Sequence, residues 1–275
     1  MTARPLKTRV KERLLLASLR AAAREQGLAS ICEKLEQVNP DLRRQYTSFE
    51  VDSPYLEAKV RAQHAFQISL ALPEIQAAPG AVVVDIGDSS GAHAAYLKAL
   101  DGTAGARYLS VNLDPIAVEK VKARGQEAVL ARAEELDKQG ITADIFLSFE
   151  TMEHLSDPVS FLHALSSKTR CKRLVLTVPY VRRSRVGFQH IRNRLKAPVS
   201  AEKVHIFELC PEDLRLLFQH AGWKVEREAI YLQYPRWSWL RLTRWAWRRW
   251  DFEGFYGAVL SRETSWSSLY TDWPS

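Results

Sequence analysis

The chain has 275 residues, of which 46% are hydrophobic and 26% charged, a balance that excludes a disordered or fibrous protein and fits one globular domain with elaborations. Its formal net charge of +7 favours an anionic partner, such as a nucleic acid, a phosphorylated small molecule or a lipid surface. Three scattered cysteines indicate reduced thiols in a cytoplasmic setting, and the N-terminal apolar run is too short for a signal peptide or a membrane span.

The first part of the chain, residues 1–78, has the pattern of an N-terminal helical cap. It contains no alternating apolar and polar run of the kind that indicates a strand. Ser53 followed by Pro54 is a typical helix start, because serine caps the first turn and proline fits the first helical position. Pro79 and Gly80 end this region, so a second unit is expected over residues 79–275.

Beyond Ala81 the pattern changes to short apolar strands that alternate with helices. Strands are predicted in AVVVDIG, RYLSVNL, EAVLA, ADIFLSF, RLVLTVP, KVEREAIYLQY and EGFYGAVLSRE. Helices are predicted in GAHAAYLKAL, DPIAVEKVKARG, DPVSFLHALSS and CPEDLRLLFQHAGW. This order predicts an α/β fold with a doubly wound, seven-stranded, Rossmann-like sheet.

Glycines and polar residues follow the first two predicted strands. Asp85, Gly87 and Gly91 lie in DIGDSSGAH, where the glycines let the backbone turn sharply and approach a ligand. Asn112 and Asp114 follow the second strand, about 20 residues further on, a position suited to binding ribose hydroxyls. The loop departs from G-x-G-x-x-G, which disfavours a nicotinamide cofactor. A structural glycine turn that binds another nucleotide, or none, is the alternative.

Together with SFETMEHLSDPVSFL and CPEDLRLLFQHAGWKV, these segments resemble the signature regions of class I S-adenosylmethionine-dependent methyltransferases. The resemblance covers about residues 80–260 and implies a methyltransferase domain that uses S-adenosylmethionine. Carried over to this chain, the cofactor-binding residues are Asp85, Gly87, Asp88, Gly91, Asn112, Asp114, Ala133 and Glu150.

The chain departs from the family pattern at three positions. Ser89 stands where the family tends to have glycine, and Asn112 stands where it usually has an acidic residue. Arg132 replaces the aspartate that usually lies near the adenine. An asparagine can still form a hydrogen bond with a hydroxyl group, and Asp88 or Asp114 are candidates to compensate for the missing acid.

A cluster of ionisable residues begins at the end of the fourth predicted strand. Glu150 and Glu153 are three residues apart and His154 follows, so on a helical turn they face one space. Two carboxylates and a neutral imidazole in one space repel each other unless a cation or a proton intervenes. One interpretation is therefore a divalent ion bound by Glu150, Glu153, His154 and the later His205.

The E-x-x-E-H pattern with a later H-x-F resembles two metal-assisted branches of the superfamily, the small-RNA 2′-O-methyltransferases and the ubiquinone-biosynthesis O-methyltransferases. The resemblance implies that Mg, Mn or Fe holds vicinal oxygens of the acceptor and lowers the pKa of its hydroxyl group. In a metal-free alternative, His154 or His205 is the catalytic general base. A purely structural cluster is the third interpretation.

Two positively charged segments bear on the acceptor. After the fifth strand, YVRRSRVGFQHIRNRLKAP carries the basic residues Arg182, Arg183, Arg185, Arg192, Arg194 and Lys196, which suits either a phosphate-bearing acceptor or a solvated lid. Residues 235–253 are predicted to be a helical insertion rich in tryptophan and arginine, which suits a peripheral membrane contact, stacking on sugars or bases, or packing against the N-terminal helices. On one helix, one face would gather Trp239, Leu240, Leu242, Ala246, Trp247 and Trp250, and another Arg241, Arg244 and Arg248.

The expected function is methyl transfer from S-adenosylmethionine to an oxygen of a hydroxylated small molecule or glycan, phosphate-linked or lipid-linked. An RNA 2′-O-methyltransferase is an alternative that the charge permits, although no recognisable RNA-binding module is present. A non-catalytic, membrane-associated binding protein is the alternative from a different class. The expected location is the cytoplasm, with peripheral contact to a membrane as a further interpretation.

Overall fold

The computed structural model of the protein describes residues 6–102, 105–187 and 204–273. Three helices come first: α1 (Leu6–Glu25), α2 (Ala29–Val38) and α3 (Pro54–Gln76). The start of α3 is the one that the sequence predicts, because the Ser53 hydroxyl accepts a hydrogen bond from the Leu56 backbone N–H at 3.3 Å and Pro54 takes the first helical position.

The remainder of the described chain alternates strands with helices. The strands are β1 (Val82–Ile86), β2 (Arg107–Asn112), β3 (Glu127–Leu130), β4 (Ile145–Phe149), β5 (Arg173–Pro179), β6 (Arg185–Val186), β7 (Phe207–Glu208), β8 (Trp223–Leu232) and β9 (Gly254–Arg262). The helices are α4 (Ala92–Asp101), α5 (Pro115–Ala123), α6 (Pro158–Lys168), α7 (Pro211–His220) and α8 (Arg244–Trp250).

Seven strands form one sheet in the order β3-β2-β1-β4-β5-β9-β8. Strands β1 to β5 pair in parallel, and β9 is inserted antiparallel between β5 and β8. The fold predicted from the sequence is therefore confirmed. All five residues of β4 are buried, as expected for a central strand covered on both faces by helices.

Helices cover both faces of this sheet. On one face α3 packs against the sheet, and its Phe66 and Leu70 belong to the same core cluster as Val83 and Leu147 of β1 and β4. On the other face Leu162 of α6 and Phe218 of α7 are fully buried. The helix α3 comes so close to β9 that a Cβ at Gly257 would lie 2.3 Å from Leu70 Cδ1. The third helix is therefore fixed over the sheet, and its inward side chains can line a site there.

A two-stranded ribbon, β6 with β7, stands apart from the main sheet and was not predicted from the sequence. Next to it, the Ile206 backbone N–H donates to the Glu153 carbonyl at 2.7 Å, which fixes the chain beside His205. Arg185 of β6 forms an ion pair with the buried Glu208 of β7.

The predicted basic segment is described only in part. Arg192, Arg194 and Lys196 lie outside the described residues. Arg182, by contrast, forms a hydrogen-bonded ion pair with Glu253 at 2.8 Å. This arginine therefore ties its loop to the start of β9.

The insertion before β9 differs from its prediction. It consists of a 3₁₀ helix, Trp239–Thr243, followed by α8, so it does not present one continuous helical face. Trp247 is fully buried against Leu15 and Leu19 of α1, whereas Trp239 and Leu242 are exposed. The expected gathering of the apolar residues on one face was wrong, because the change of helix type at Thr243 breaks the 3.6-residue period.

Within the described ranges, no helix combines the length and the apolar character that crossing a bilayer requires.

Candidate active site

A cavity of about 370 Å³ lies at the carboxyl ends of β1, β2 and β4. Its size is within the range of small-molecule sites, and its place in the sheet is where ligands bind in doubly wound folds. The walls come from the segment Gln45–Phe49, from α3, and from the loops that follow the three strands.

The turn after β1 leaves no room for side chains at its first glycine. Gly87 has a φ of 92°, and a Cβ at this position would lie 2.3 Å from Thr151 Oγ1. Its backbone N–H donates to the Val111 carbonyl at 2.8 Å. Gly87 is part of the cavity wall, so a ligand can approach the backbone of this turn closely.

The predicted cofactor-binding residues divide into two groups. The cavity wall includes Gly87, Asn112, Asp114, Ala133 and Glu150. Asp85, Asp88 and Gly91 stand behind that wall and support it. The cavity therefore brings together the residues predicted for the ribose, the adenine and the acceptor side.

The supporting residues organise the loop. Asp88 Oδ1 accepts hydrogen bonds from the backbone N–H groups of Ser90 and Gly91, at 3.3 and 2.9 Å, and its Oδ2 accepts from Ser110 Oγ at 3.0 Å. Gly91, with a φ of 76°, then starts α4. The hydrogen bonds of Asp88 therefore stabilise its own loop. They do not replace the acidic residue that the family usually has at position 112.

Asn112 takes part in the same network. Its Nδ2 donates to the Asp88 carbonyl at 3.1 Å, and its Oδ1 accepts from the Asp114 backbone N–H at 2.8 Å. An amide oxygen has a second lone pair and the amide nitrogen a second hydrogen, so both groups can still bind a hydroxyl group of a ligand. Asp114 caps α5 through the Ile116 N–H at 2.9 Å.

Sequence reasoning missed the side chains that the helical cap and α4 contribute to the cavity wall. These are Tyr46, Phe49, His64, Gln67 and His93. The signal in the sequence was weak but present: His64 and Gln67 lie three residues apart on α3, among apolar residues, and both are 1% exposed. Polar groups buried on the inner face of a helix usually serve a partner or a ligand.

Glu150 has an unusual backbone conformation at the end of β4. Its φ is 51°, the one positive value among the non-glycine residues that the structure describes, and such a conformation costs about 1–3 kcal/mol. Its N–H donates to the Thr177 carbonyl at 2.9 Å. Burial raises the pKa of the Glu150 carboxyl well above its usual value, and the nearby Glu153 carboxylate adds to the effect. Backbone strain that aims a buried carboxyl into a cavity is typical of functional sites.

Three of the four predicted metal ligands lie close together. The short helix Met152–His154 positions two of them, and the chain just before the ribbon positions His205. Glu153, His154 and His205 each offer one ligand atom, and these atoms lie within 4.8 Å of one another. Glu150 does not belong to this compact group. Of the four predicted metal ligands, the structure therefore clusters three and places the fourth beside them, on the cavity wall.

The two histidines of this group are oriented by their neighbours. His154 Nδ1 lies 3.0 Å from the Val204 carbonyl, which can only accept, so Nδ1 carries the proton and Nε2 the lone pair. His205 Nδ1 lies 3.3 Å from Glu208 Oε1, and its ring stacks on Phe252. A carbonyl partner such as that of His154 fixes the ring orientation of a metal-binding histidine, and the Phe252 ring holds that of His205.

Burial of Glu153 has an electrostatic consequence. The residue is 2% exposed, and neither carboxylate oxygen has a hydrogen-bond partner among the described residues. Burial raises the pKa of this carboxyl to about 7, against the lowering effect of His205. The group needs a proton or a cation, because a bare buried carboxylate is costly.

The comparisons with known proteins agree with this architecture. A sequence model of the family described as a methyltransferase domain matches residues 56–228, which is more than half of the chain. No curated protein sequence matches the chain significantly.

Among solved structures, 1,6-didemethyltoxoflavin-N1-methyltransferase from Burkholderia thailandensis, with bound S-adenosylhomocysteine, is 15% identical, with a TM-score of 0.52 over 96% of this chain and 92% of that one. A protein from Galdieria sulphuraria described as a sarcosine dimethylglycine methyltransferase is 14% identical, with a TM-score of 0.53 over 76% of this chain and 87% of that one. A Haloferax volcanii protein described as a methyltransferase, in complex with the Trm112 activator, is 17% identical, with a TM-score of 0.52 over 74% and 92%. At these identities the likeness shows the shared fold.

The sheet order and the glycine turn at its carboxyl edge define a Rossmann-like methyltransferase domain. The chain belongs to the methyltransferase domain family, and it is an S-adenosylmethionine-dependent methyltransferase.

Proposed function

We propose that the enzyme transfers the methyl group of S-adenosylmethionine to a hydroxyl oxygen of its acceptor, assisted by a divalent ion that Glu153, His154 and His205 hold. The observation that carries the proposal is the convergence of these three side chains, within 4.8 Å, around a buried carboxylate whose oxygens have no partner among the described residues.

The donor set fits a divalent ion of the first transition row. One carboxylate and two imidazoles on one face form the arrangement that leaves further positions open for an acceptor. Ligand atoms about 2.1 Å from one ion are at most about 4.2 Å apart. The observed span of 4.8 Å therefore requires only a small movement of side chains. When bound, such an ion would lower the pKa of an acceptor hydroxyl group and orient it.

The residues of the chain itself would perform the positioning. The Gly87 turn and Asn112 would hold the cofactor on the β1 and β2 side of the cavity, and the histidine cluster lies beyond the end of β4. Thr151 donates to the Ile86 and Phe149 carbonyls at 3.0 and 3.2 Å and so connects the two sides. Methyl transfer needs the acceptor oxygen in line with the sulfonium bond, and orientation of this kind supplies a large part of the rate.

Calorimetric titration of Mn²⁺ into the protein tests the ion site without knowledge of the acceptor. Wild type and His163→Ala, a control in α6 outside the cavity, are expected to bind one ion, and His205→Ala is expected to bind at least ten-fold more weakly. Equal binding by His205→Ala would contradict the ion site. If S-adenosylmethionine binds and Mn²⁺ does not, the ion proposal fails and His154 or His205 is left as a general base.

We also propose that the insertion before β9 contacts an anionic membrane, which suits a lipid-linked acceptor. Its exposed apolar residues, called here the tryptophan surface, are Trp237, Trp239, Leu242, Trp245 and Trp250. Trp237 is 86% exposed, so these side chains are not part of the core. The exposed arginines Arg236, Arg241, Arg244, Arg248 and Arg249 lie in the same segment.

The combination of exposed indole rings and guanidinium groups is typical of the lipid headgroup region. Indole rings prefer this interface, and each basic group near an anionic surface contributes about 1 kcal/mol. Lys11 of α1 lies 3.9 Å from the ring centre of Trp250 and extends the positive charge.

Vesicle co-sedimentation tests the membrane contact. Wild type is expected to bind vesicles that contain phosphatidylglycerol, to bind phosphatidylcholine vesicles weakly, and to lose binding when Trp237 and Trp239 are both changed to Ala. Trp266→Ala, an exposed tryptophan outside the surface, is the matched control and is expected to bind as wild type does. Equal binding by the double variant, or no binding by wild type, would refute the contact.

A further inference from the structure

S-adenosylmethionine brings an anion into a cavity that has few cations to receive it. The methionine part of the cofactor carries a carboxylate, and a buried carboxylate needs a charged or hydrogen-bonding partner. Among the described residues that line the cavity, Arg132 is the only arginine or lysine. Arg132 lies next to Ala133 at the adenine end, is half exposed, and forms an ion pair with Glu134 at 3.5 Å. It is thus at the wrong end for the methionine carboxylate.

His93 contributes to the cavity wall on the side of β1 and β4. It is the second residue of α4, and its ring centre lies 5.0 Å from that of Phe149, at the end of β4. Its ring centre also lies 5.0 Å from that of His64 on α3. Asn112 ends β2, on the other side of β1 from β4. A cofactor with its ribose at Asn112 therefore extends its methionine part toward His93.

His93 is held by an acid behind it. Its Nδ1 lies 2.9 Å from Asp85 Oδ2, and both residues are buried, at 8% and 3% exposure. Burial lowers the pKa of His93, but Asp85 and Asp88 more than offset it, so the net pKa is raised above its ordinary value. A protonated imidazole in this position has two N–H donors, one toward Asp85 and one at Nε2.

The second donor of His93 is unused. Its Nε2 is buried and has no hydrogen-bond partner among the described residues, although the side chain is part of the cavity wall. Leaving such a donor without an acceptor is costly.

We infer that His93 binds the methionine carboxylate of S-adenosylmethionine through Nε2, with Asp85 as the residue that positions the imidazole. The inference rests on the membership of the chain in the S-adenosylmethionine-dependent methyltransferases. It does not depend on the proposed ion site or on the acceptor. His93 is not among the residues that the family resemblance predicts for the cofactor.

A metal ion is the competing occupant of this cluster. Asp85, Asp88 and His93 each offer a ligand atom, and these atoms lie within 4.8 Å of one another. Asp88, however, uses both of its oxygens to accept hydrogen bonds from its own loop and from Ser110. An ion would compete with these donors for the oxygens of Asp88, whereas a carboxylate at His93 Nε2 would leave the hydrogen bonds of Asp88 unchanged.

The test compares two ligands that differ in one group. Decarboxylated S-adenosylmethionine lacks the carboxylate and keeps the adenosine, the sulfonium and the amino group. Calorimetry with wild type, His93→Ala, His93→Gln and the control His163→Ala measures the Kd of both ligands. For S-adenosylmethionine, we expect His93→Ala to raise the Kd about 10- to 100-fold, as for loss of a charge-assisted hydrogen bond, and His93→Gln to recover part of the loss through its amide donor. For the decarboxylated ligand we expect less than about a two-fold change.

The outcomes separate the possible failures. If His93→Ala loses equal affinity for both ligands, His93 has a structural role and the inference is overturned. Unchanged affinity for both ligands would also overturn it. If Zn²⁺ or Mn²⁺ binding is lost in His93→Ala and retained in His205→Ala, the cluster is an ion site and the inference fails. If wild type binds neither adenosyl ligand, the cofactor assignment itself fails. His93→Gln keeps a polar side chain of similar length, so the test stands even where His93→Ala does not fold.

Discussion

The hydroxyl group of Ser89 donates a hydrogen bond to the Gln45 carbonyl at 3.2 Å. This contact joins the turn after β1 to the segment Gln45–Phe49, which forms another part of the cavity wall. The same segment is held by Lys120, whose ammonium group donates to the Arg44 and Tyr46 carbonyls, each at 3.1 Å. The serine that replaces the usual glycine of the family thus has a use in this chain, because it fastens a wall of the site.

Removal of that hydroxyl should loosen the wall. In Ser89→Ala, loss of one hydrogen bond of about 1 kcal/mol is expected to speed amide hydrogen exchange in residues 43–50 by about five-fold. Exchange in the core strand β4 should not change. Unchanged exchange in residues 43–50 would show that the hydrogen bond does not hold the segment.

Gly87→Ala should cost more stability than its positive φ alone explains. The added Cβ would lie 2.3 Å from Thr151 Oγ1. The decrease in the free energy of unfolding, measured with urea, is therefore expected to be about 1–3 kcal/mol larger than for Gly140→Ala. Gly140 is the matched control, because its φ is 68° and nothing lies within 4 Å of a Cβ there.

A second substitution isolates the clash. In the Gly87→Ala, Thr151→Ala double variant the penalty should be smaller than the sum of the two single penalties. Additive penalties would indicate that the clash with Thr151 is not the cause.

The stability of the ion-free protein should fall as the pH rises from about 4.5 to 7. The folded-state pKa of Glu153 is raised to about 7 from 4.5 by burial, so its contribution is fully present below pH 4.5 and is lost as the pH rises through 7. Glu153→Gln removes this titration and, in EDTA, should be more stable than wild type at pH 8 by up to about 3 kcal/mol. Urea unfolding of both proteins at pH 4.5 and at pH 8 measures the difference in their free energies of unfolding. A variant less stable than wild type at pH 8 would contradict the account.

The two kinds of tryptophan in the insertion should behave differently. Trp247 is fully buried, and its Nε1 donates to Ser18 Oγ at 3.3 Å, so Trp247→Ala should destabilise the protein by about 3–5 kcal/mol. Trp237→Ala should change stability by less than about 0.5 kcal/mol, because the side chain is exposed. Thermal unfolding compares them, and similar melting temperatures would argue against the observed packing.

The sheet was predictable because its signals are local. Runs such as AVVVDIG and ADIFLSF are short, apolar and bounded by turns, and they became β1 and β4 with boundaries close to those expected. The glycine turn was likewise readable from its place after the first strand. Local spacing also predicted the helical turn that carries Glu153 and His154.

The parts that failed depend on packing between distant segments. Residues on α3 line the cavity because that helix lies across the sheet, and no local pattern fixes this crossing. The contact between the Asp85 carboxylate and His93, eight residues later, was likewise not predicted, because no pattern in the sequence indicates it. The insertion was misjudged because its helix changes type at Thr243, which an ideal helical projection cannot show.

The central claim is that S-adenosylmethionine binds in the cavity beside the Gly87 turn. Calorimetric titration of S-adenosylhomocysteine into wild type and Gly87→Val tests it most directly. The account predicts one binding site per chain in wild type and its loss in Gly87→Val, because the added side chain would collide with Thr151 and move the turn that forms the cavity wall. Wild-type protein that does not bind, or a folded Gly87→Val variant that binds with unchanged affinity, would contradict it.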